Sequence, residues 1–347
     1  MTTAGAPTEE PPRTDTAPTI PAPAVEPPRT DIAPAIPAPT GPPQPTPAAY
    51  LVVSGDLLVL GKQPDGDSVR FRAHDPEILR QLAHGDRVDI KADGSVQLRL
   101  DGIDAPELHY AGQQQPFGDR SRDALLRQLG FASVSLAANH MTVTAAEPAV
   151  LPAVIAARMV EVHGRPVAFL FTGDAAAALA ERGGSRIEVD ADLLGQSANL
   201  GMLASGDAYP LLYTSTGPEL RAAIAATASR ARAAHLGVYA SDATARFRVV
   251  DHTSVGPGGD LVFPKIFRRV TEWLRETEAA IANETATGLG GPPPATFPAW
   301  LRANPGRNDR VVVAGNRRSQ ALHTLLQQGG HTVTMSADPL TLVFVEK

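Results

Sequence analysis

From residue 50 onward, apolar residues fall into short runs punctuated by glycine, a pattern that predicts strands. AYLVVSGDLLVLGK carries the first run, and SVRFR (68–72) alternates apolar and polar positions. Asp75-Pro76-Glu77 offers an N-cap, a first-turn proline and a first-turn acid, so a short helix is expected through ILRQLAH to Gly85. RVDIK and SVQLRL flank the turn ADG and predict a hairpin. DRSRDALLRQLG (119–130) has helical spacing and a glycine stop. HMTVTA (140–145), VIAARMVEV (154–162) and PVAFLF (166–171) predict further strands, and 193–203 and 218–235 predict helices. Strands first and helices later, over about 48–245, suit a small closed β-barrel carrying helices.

Past Phe247 the pattern starts again. PKIFRRVTEWLRETEAAIA (264–282) predicts an amphipathic helix and GLGGPPPATFPA a linker. RVVVAG, SQALHTLLQQGG, HTVTMSA and LTLVFVEK then read as strand, helix, strand and strand, so 262–347 is expected to form a small α+β appendage.

Composition changes the picture at the N-terminus. Residues 1–47 are mostly Pro, Ala and Thr, and PPRTDTAPTIPAP (11–23) recurs as PPRTDIAPAIPAP (27–39). So few large apolar side chains cannot offset chain entropy, and a disordered, partly polyproline-II tail is expected, a spacer rather than a recognition element. The 347 residues are 43% hydrophobic, enough for one or two cores. A net charge of −6 gives no chain-wide basic field for nucleic acid, while leaving a local basic cleft open. The absence of cysteine excludes disulfides and thiolate metal sites. The most apolar region, about 143–157, is broken by Glu147, Pro148 and Pro152, so no membrane span or membrane partner is expected. MTTAGAPTEEPPRTD has neither a basic start nor an apolar run, and a cytoplasmic location is the expectation.

The candidate chemistry lies in QLRLDGIDAPE (97–107), where a strand containing Arg99 runs into Asp101, Asp104 and Glu107. Charges are costly to bury without partners, so this arrangement calls for a salt-bridge network or an external ligand. Asp65-Gly66-Asp67 opens an earlier strand, and the intervening strands can bring both acidic clusters to one end of a sheet. Hard oxygen donors select Ca²⁺ or Mg²⁺, and guanidinium forks match phosphate oxygens. With Arg165 in VHGRPVAFLF, these are the parts for metal-assisted phosphodiester hydrolysis. Each motif alone is weak: Asp-Gly-Asp is common in turns, and a structural salt bridge accounts for Arg99 about as well.

Taken together and in order, the motifs resemble the staphylococcal (micrococcal-type) nuclease family. They are DGDSV (65–69), RLDGIDAPE (99–107), Phe117-Gly118, HGRPVAF (163–169), ANLGMLASGDAY (198–209) and HLGVYA (235–240), spanning about 50–241. The resemblance implies a five-stranded OB-fold barrel with helices and a Ca²⁺-dependent endonuclease that hydrolyses DNA, with RNA as a second substrate. It implies that Asp67, Asp104 and the Ala105 backbone carbonyl hold Ca²⁺ and that Glu107 is the general base. Arg99 and Arg165 would bind the phosphate, Tyr209 and Tyr213 would contact the substrate, with a place in the core the equal alternative for both tyrosines, and 3′-phosphate ends would result. Ala105 stands where the family commonly has threonine, which removes a hydroxyl and keeps the carbonyl.

Two further features depart from that pattern. An insertion occupies about 74–94, read as a barrel cap rather than a substrate gate. ARMVEVHG replaces an acidic, turn-rich lead-in to Gly164-Arg165, which leaves Arg158 as the fallback arginine. Asp65 reads as a turn residue, Asp101 as a solvated strand-end acid and His109 as a surface or packing residue. The competing function is a non-catalytic OB-fold platform that binds nucleic acid or protein; a third has the appendage and tail carry the biology on a barrel scaffold.

Overall fold

The strand β1 (Tyr50–Leu58) is buried over Tyr50–Val53, and its neighbour β2 (Arg70–Ala73) lies antiparallel to it. Gly55 lets the two approach closely: a Cβ there would sit 2.3 Å from the Arg72 carbonyl oxygen and 2.5 Å from the Phe71 ring. In this computed structural model, which describes residues 49–287, 295–316 and 318–346, β3 (Val96–Gln97), β4 (Arg99–Leu100) and β5 (Ile103–Asp104) follow. After the helix α1 (Gly118–Leu129) come β6 (Ser133–Leu136), β7 (Val143–Glu147), β8 (Val150–Val160) and β9 (Pro166–Phe171). The main sheet runs β3-β2-β1-β8-β9-β4. Its two end strands are separated in sequence only by Leu98, so one continuous stretch pairs with β2 at one end and, in parallel, with β9 at the other. The result is a nearly closed, barrel-like sheet in a mixed α/β fold.

The middle of the chain covers this sheet with α2 (Gly173–Ala180), β10 (Arg186–Ile187, paired with β1), α3 (Ala191–Gly195) and α4 (Ala198–Ala204). Asn199 of α4 ties the sheet to the loop after β4: its Oδ1 accepts from the Leu170 N–H at 2.9 Å. Its Nδ2 donates to the carbonyls of Asp101 at 2.9 Å and Ala168 at 3.0 Å. Then come β11 (Tyr209–Pro210), β12 (Leu212–Tyr213), α5 (Pro218–Ala233) and β13 (Arg246–Arg248), with β11 paired to β5.

The C-terminal residues form α6 (Pro264–Thr287), α7 (Phe297–Ala303), β14 (Arg310–Val313), β15 (Gln320–Ala321), β16 (Leu326–Gly329), β17 (Thr332–Met335) and β18 (Leu342–Phe344). They are joined to the preceding residues through the ladders β12–β18 and β13–β17. The described residues, from 49 onward, belong to one compact unit. Ile266, Phe267, Val270, Trp273 and Leu274 of α6 are all at most 7% exposed. At about 1.5–3 kcal/mol for each fully buried large side chain, detaching this helix would cost on the order of 10 kcal/mol, comparable to the stability of a whole domain.

Several local expectations are corrected. The helix expected from Asp75 is a pair of 3-10 turns, Pro76–Gln81 and Gly85–Arg87, although Asp75 caps the first as expected through the Glu77 N–H. RVDIK forms no strand; the Asp89 N–H donates to the Gly164 carbonyl instead, so the expected hairpin loses its first arm, while its Gly94 turn and the SVQLRL strand, as β3 and β4, are present. SQALHTLLQQGG is not an α-helix: Leu322–Leu325 makes a 3-10 turn, Leu326–Gly329 is strand β16, and Gly330 (φ 57°) opens the turn of the β16–β17 hairpin rather than stopping a helix. The end of the expected linker starts α7, while 288–294 and the proline-rich tail of 1–47 lie outside the described residues. Among the described residues no helix is long and apolar enough to cross a membrane.

Candidate active site

The Asp65-Gly66-Asp67 turn is built for close packing. Asp65 accepts from the Gly66 N–H at 2.8 Å and from the Leu108 N–H at 3.5 Å, linking the turn to the loop that carries Glu107. A Cβ on Gly66 would lie 2.6 Å from the Ala105 Cβ and 2.7 Å from the Ser121 Cβ. The Asp67 carbonyl accepts from the Leu100 N–H, which brings the first acidic cluster beside the Arg99 strand. Gly118 serves the same purpose from α1, since a Cβ there would meet the Glu107 carbonyl oxygen at 2.7 Å. Gln115, fully buried, fastens the intervening loop: its side chain accepts from the Glu107 N–H and donates to the Val262 carbonyl just before α6.

Asp67, Arg99, Asp104 and Glu107 therefore converge at one end of the barrel. Arg99 lies 4.0 Å from an Asp67 oxygen and 3.6 Å from an Asp104 oxygen, ion-pair distances longer than a good hydrogen bond. Asp104 is 0% exposed and stands opposite Tyr209 in the β5–β11 ladder. Its principal partner was not anticipated. Arg268 of α6 forks onto Asp104, with Nη2 at 2.8 Å from Oδ2 and Nη1 and Nη2 each at 3.1 Å from Oδ1, and Nη1 also donates to Glu107 Oε1.

The electrostatics follow from this crowding. Burial pushes the Asp67 carboxyl up to about 6; Arg99 opposes the rise, and Asp104 and Glu107 add to it. Burial and the repulsion of Asp67 and Glu107 hold Asp65 well above the usual carboxylate range. Burial works against the charge on Arg268, but Asp104 and Glu107 overcome it and keep the guanidinium firmly protonated.

The remaining expected residues are distributed unevenly. In the β4–β9 ladder Arg99 pairs with Val167, so Arg165 lies one two-residue step away on the same side. Arg165 donates from Nε to Glu161 at 2.9 Å and, with Asp65, Glu107 and His109, lines a cleft of ≈ 600 Å³ that Lys62, Arg70 and Gln97 also border. Arg70 Nη1 is buried there without a hydrogen-bond partner. The insertion reaches this region, since a Cβ on Gly164 would meet the Asp89 Cβ at 2.7 Å. Tyr213 packs on Phe344, and its hydroxyl accepts from Lys265 at 3.4 Å. Tyr209 is not a surface for substrate: it is fully buried against Tyr239 and Phe263, and its hydroxyl donates to Asp242. Asp101 is buried rather than solvated, paired with Arg158 at 3.5 Å, which accounts for Arg158 as a structural partner.

Arg268 escaped notice because its helix reads as an ordinary amphipathic segment. A signal was present: Lys265, Arg268, Arg269 and Glu272 recur at i, i+3, i+4 and i+7, so one face of α6 is wholly charged. That face is turned inward, with Lys265 and Arg269 paired to Asp309 and Glu272 accepting from the Tyr110 hydroxyl at 2.6 Å.

No family model matches the chain, and no curated protein matches it. The fit to a divalent cation is therefore judged on the residues alone. Asp67, Asp104 and the Ala105 carbonyl are suitable hard donors by type. Both Asp104 oxygens, however, are committed to Arg268, and among the described residues no three acidic or histidine side chains group as a metal site. As folded, these residues do not fit a divalent cation.

Proposed function

We propose that the chain is a phosphodiesterase of the staphylococcal nuclease type, acting on DNA and RNA at the open end of an OB-like, five-stranded barrel. The observation that carries this reading is the convergence of Asp67, Arg99, Asp104 and Glu107 from two separate motifs beside an open, cation-bordered cleft. Arg99 holds its acids only at 3.6–4.0 Å, which leaves donors of its fork to spare for a phosphate oxygen. Arg70 and Arg165, which border the cleft, supply further positive charge for an anionic ligand.

In this reading the phosphodiester lies along the cleft with its non-bridging oxygens toward Arg99 and Arg165. These donors stabilise the charge that grows on phosphorus-bound oxygen as the reaction proceeds, which is the requirement for rate. Glu107, which borders both the Asp104 pocket and the cleft, takes the proton of the attacking water. Ca²⁺ is the cofactor that the family resemblance implies, and no step here runs through it.

The test is hydrolysis of denatured DNA by the full chain, in Ca²⁺ and in chelator, beside Arg99→Ala and Glu107→Gln. A rate reduced on the order of a hundredfold or more by either substitution supports the proposal. One observation favours a second reading, a non-catalytic nucleic-acid-binding platform: Arg268 already neutralises the two acids that catalysis would need. Binding of DNA without cleavage under any divalent ion selects that reading.

A further inference from the structure

We infer that Arg268 is the resident cation of this site: its guanidinium takes up both oxygens of Asp104, a carboxylate on which a divalent cation here would depend, and thereby sets the site's affinity for one. The inference rests on the reading of Asp67, Asp104 and Glu107 as a hard-oxygen cluster and does not require catalysis.

The geometry is that of a ligand in its site. Three donor–acceptor contacts of 2.8–3.1 Å engage both oxygens of a fully buried carboxylate, and a further one engages Glu107. A Ca²⁺ ion needs oxygen ligands at about 2.3–2.6 Å, so it cannot share the Asp104 oxygens with guanidinium nitrogens already in contact with them. Arg99, 3.6 Å from the same carboxylate, places a second positive charge beside any incoming cation.

Arg268 is also held on target. Its neighbours on the same helical face are fixed by Asp309, Tyr110 and Tyr213, and Ile266, Phe267, Val270, Trp273 and Leu274 pack this part of α6 into the core. Moving the helix aside to admit an ion would break these contacts. Only the Arg268 side chain can give way, and cation and guanidinium compete for the same oxygens.

The experiment is isothermal titration of Ca²⁺ into the full-length protein and Arg268→Gln, with thermal unfolding in chelator and in millimolar Ca²⁺ at matched ionic strength. The expectation is that Arg268→Gln binds Ca²⁺ at least about tenfold more tightly than wild type, because the buried Asp104 and the partly buried Glu107 lose their counter-charge. Arg268→Gln should also unfold at a lower temperature in chelator and recover with Ca²⁺, and Asp104→Asn in that background should remove the gain. Equal affinity in the two proteins, or no binding in either, overturns the inference. If Arg268→Gln does not fold, Arg268→Lys carries the test: a lysine keeps the charge but cannot fork, so a smaller gain of the same sign is expected. A folded Arg268→Lys protein with no gain overturns the inference equally.

Cleavage assays on the same proteins separate the two claims. Tighter Ca²⁺ binding without hydrolysis leaves the inference standing and removes the phosphodiesterase proposal. Ca²⁺-dependent hydrolysis by the wild type, with no change in affinity on substitution, does the reverse.

Discussion

Arg268 and Asp104, 164 positions apart in the chain, meet as a two-pronged ion pair in which both carboxylate oxygens accept from one guanidinium. A buried pair of this kind is weak evidence of net stabilisation, but breaking it from one side leaves an unpaired buried charge, at a cost of about 3–5 kcal/mol. Asp104→Ala should therefore destabilise by about that much in urea titration. In an Arg268→Gln background the same substitution should cost markedly less. Additive effects in that double-mutant cycle would contradict the coupling.

The glycine of the Asp65-Gly66-Asp67 turn is required by contact rather than by backbone conformation. Gly66→Ala would drive a methyl group to 2.6 Å from the Ala105 Cβ. A loss of about 1–3 kcal/mol is expected from such overpacking, read as a lower denaturation midpoint with an unchanged slope. An unaffected midpoint would mean that the turn and the Ala105 loop can separate freely.

Asn199 satisfies the Leu170 N–H and the Asp101 and Ala168 carbonyls with one side chain. Asn199→Ala leaves the Leu170 donor and the Asp101 acceptor buried without that partner, and each such group costs about 1–3 kcal/mol. Amide hydrogen exchange should then accelerate at Leu170. Unchanged protection there would show that this contact does not hold β9 to the loop after β4.

Glu272 gives an acid-limb prediction. Burial alone would raise its pKa, but the Tyr110 hydroxyl, Arg307 and Arg269 outweigh burial and hold it below the ordinary value of 4.5. A carboxylate depressed in the folded state contributes stability that is present above its unfolded pKa and is lost as pH falls through the folded one. The stability advantage of wild type over Glu272→Gln should thus be full at neutral pH and shrink below about pH 4.5. A difference that grows on acidification would contradict the assignment.

Much of the barrel was legible because its signals are local. PVAFLF and the Gly130 stop of α1 are set by residues within their own segments, and the strand and helix stand where the pattern puts them. The 262–347 segment was harder, because GG at 329–330 can end a helix or turn a hairpin, and the pairing of β16 with β17 decides. The site was legible in part. Asp67, Arg99, Asp104 and Glu107 are brought together by strand register, whereas Tyr209 is drawn into the core by Asp242, Tyr239 and Phe263, none of them in the motif that suggested it. Arg268 was out of reach of motif reading. A charged helix face says that partners are needed and does not say which carboxylates they are.

We propose that this end of the barrel acts on a phosphodiester and that Arg268 restrains it. The most direct measurement is hydrolysis of a single-stranded oligonucleotide in Ca²⁺ by wild type, Arg268→Gln and the Arg268→Gln/Glu107→Gln double variant. The account predicts faster cleavage by Arg268→Gln than by wild type, and a loss on the order of a hundredfold or more when Glu107 is also replaced. Cleavage by none of the three, or cleavage indifferent to Glu107, would contradict it.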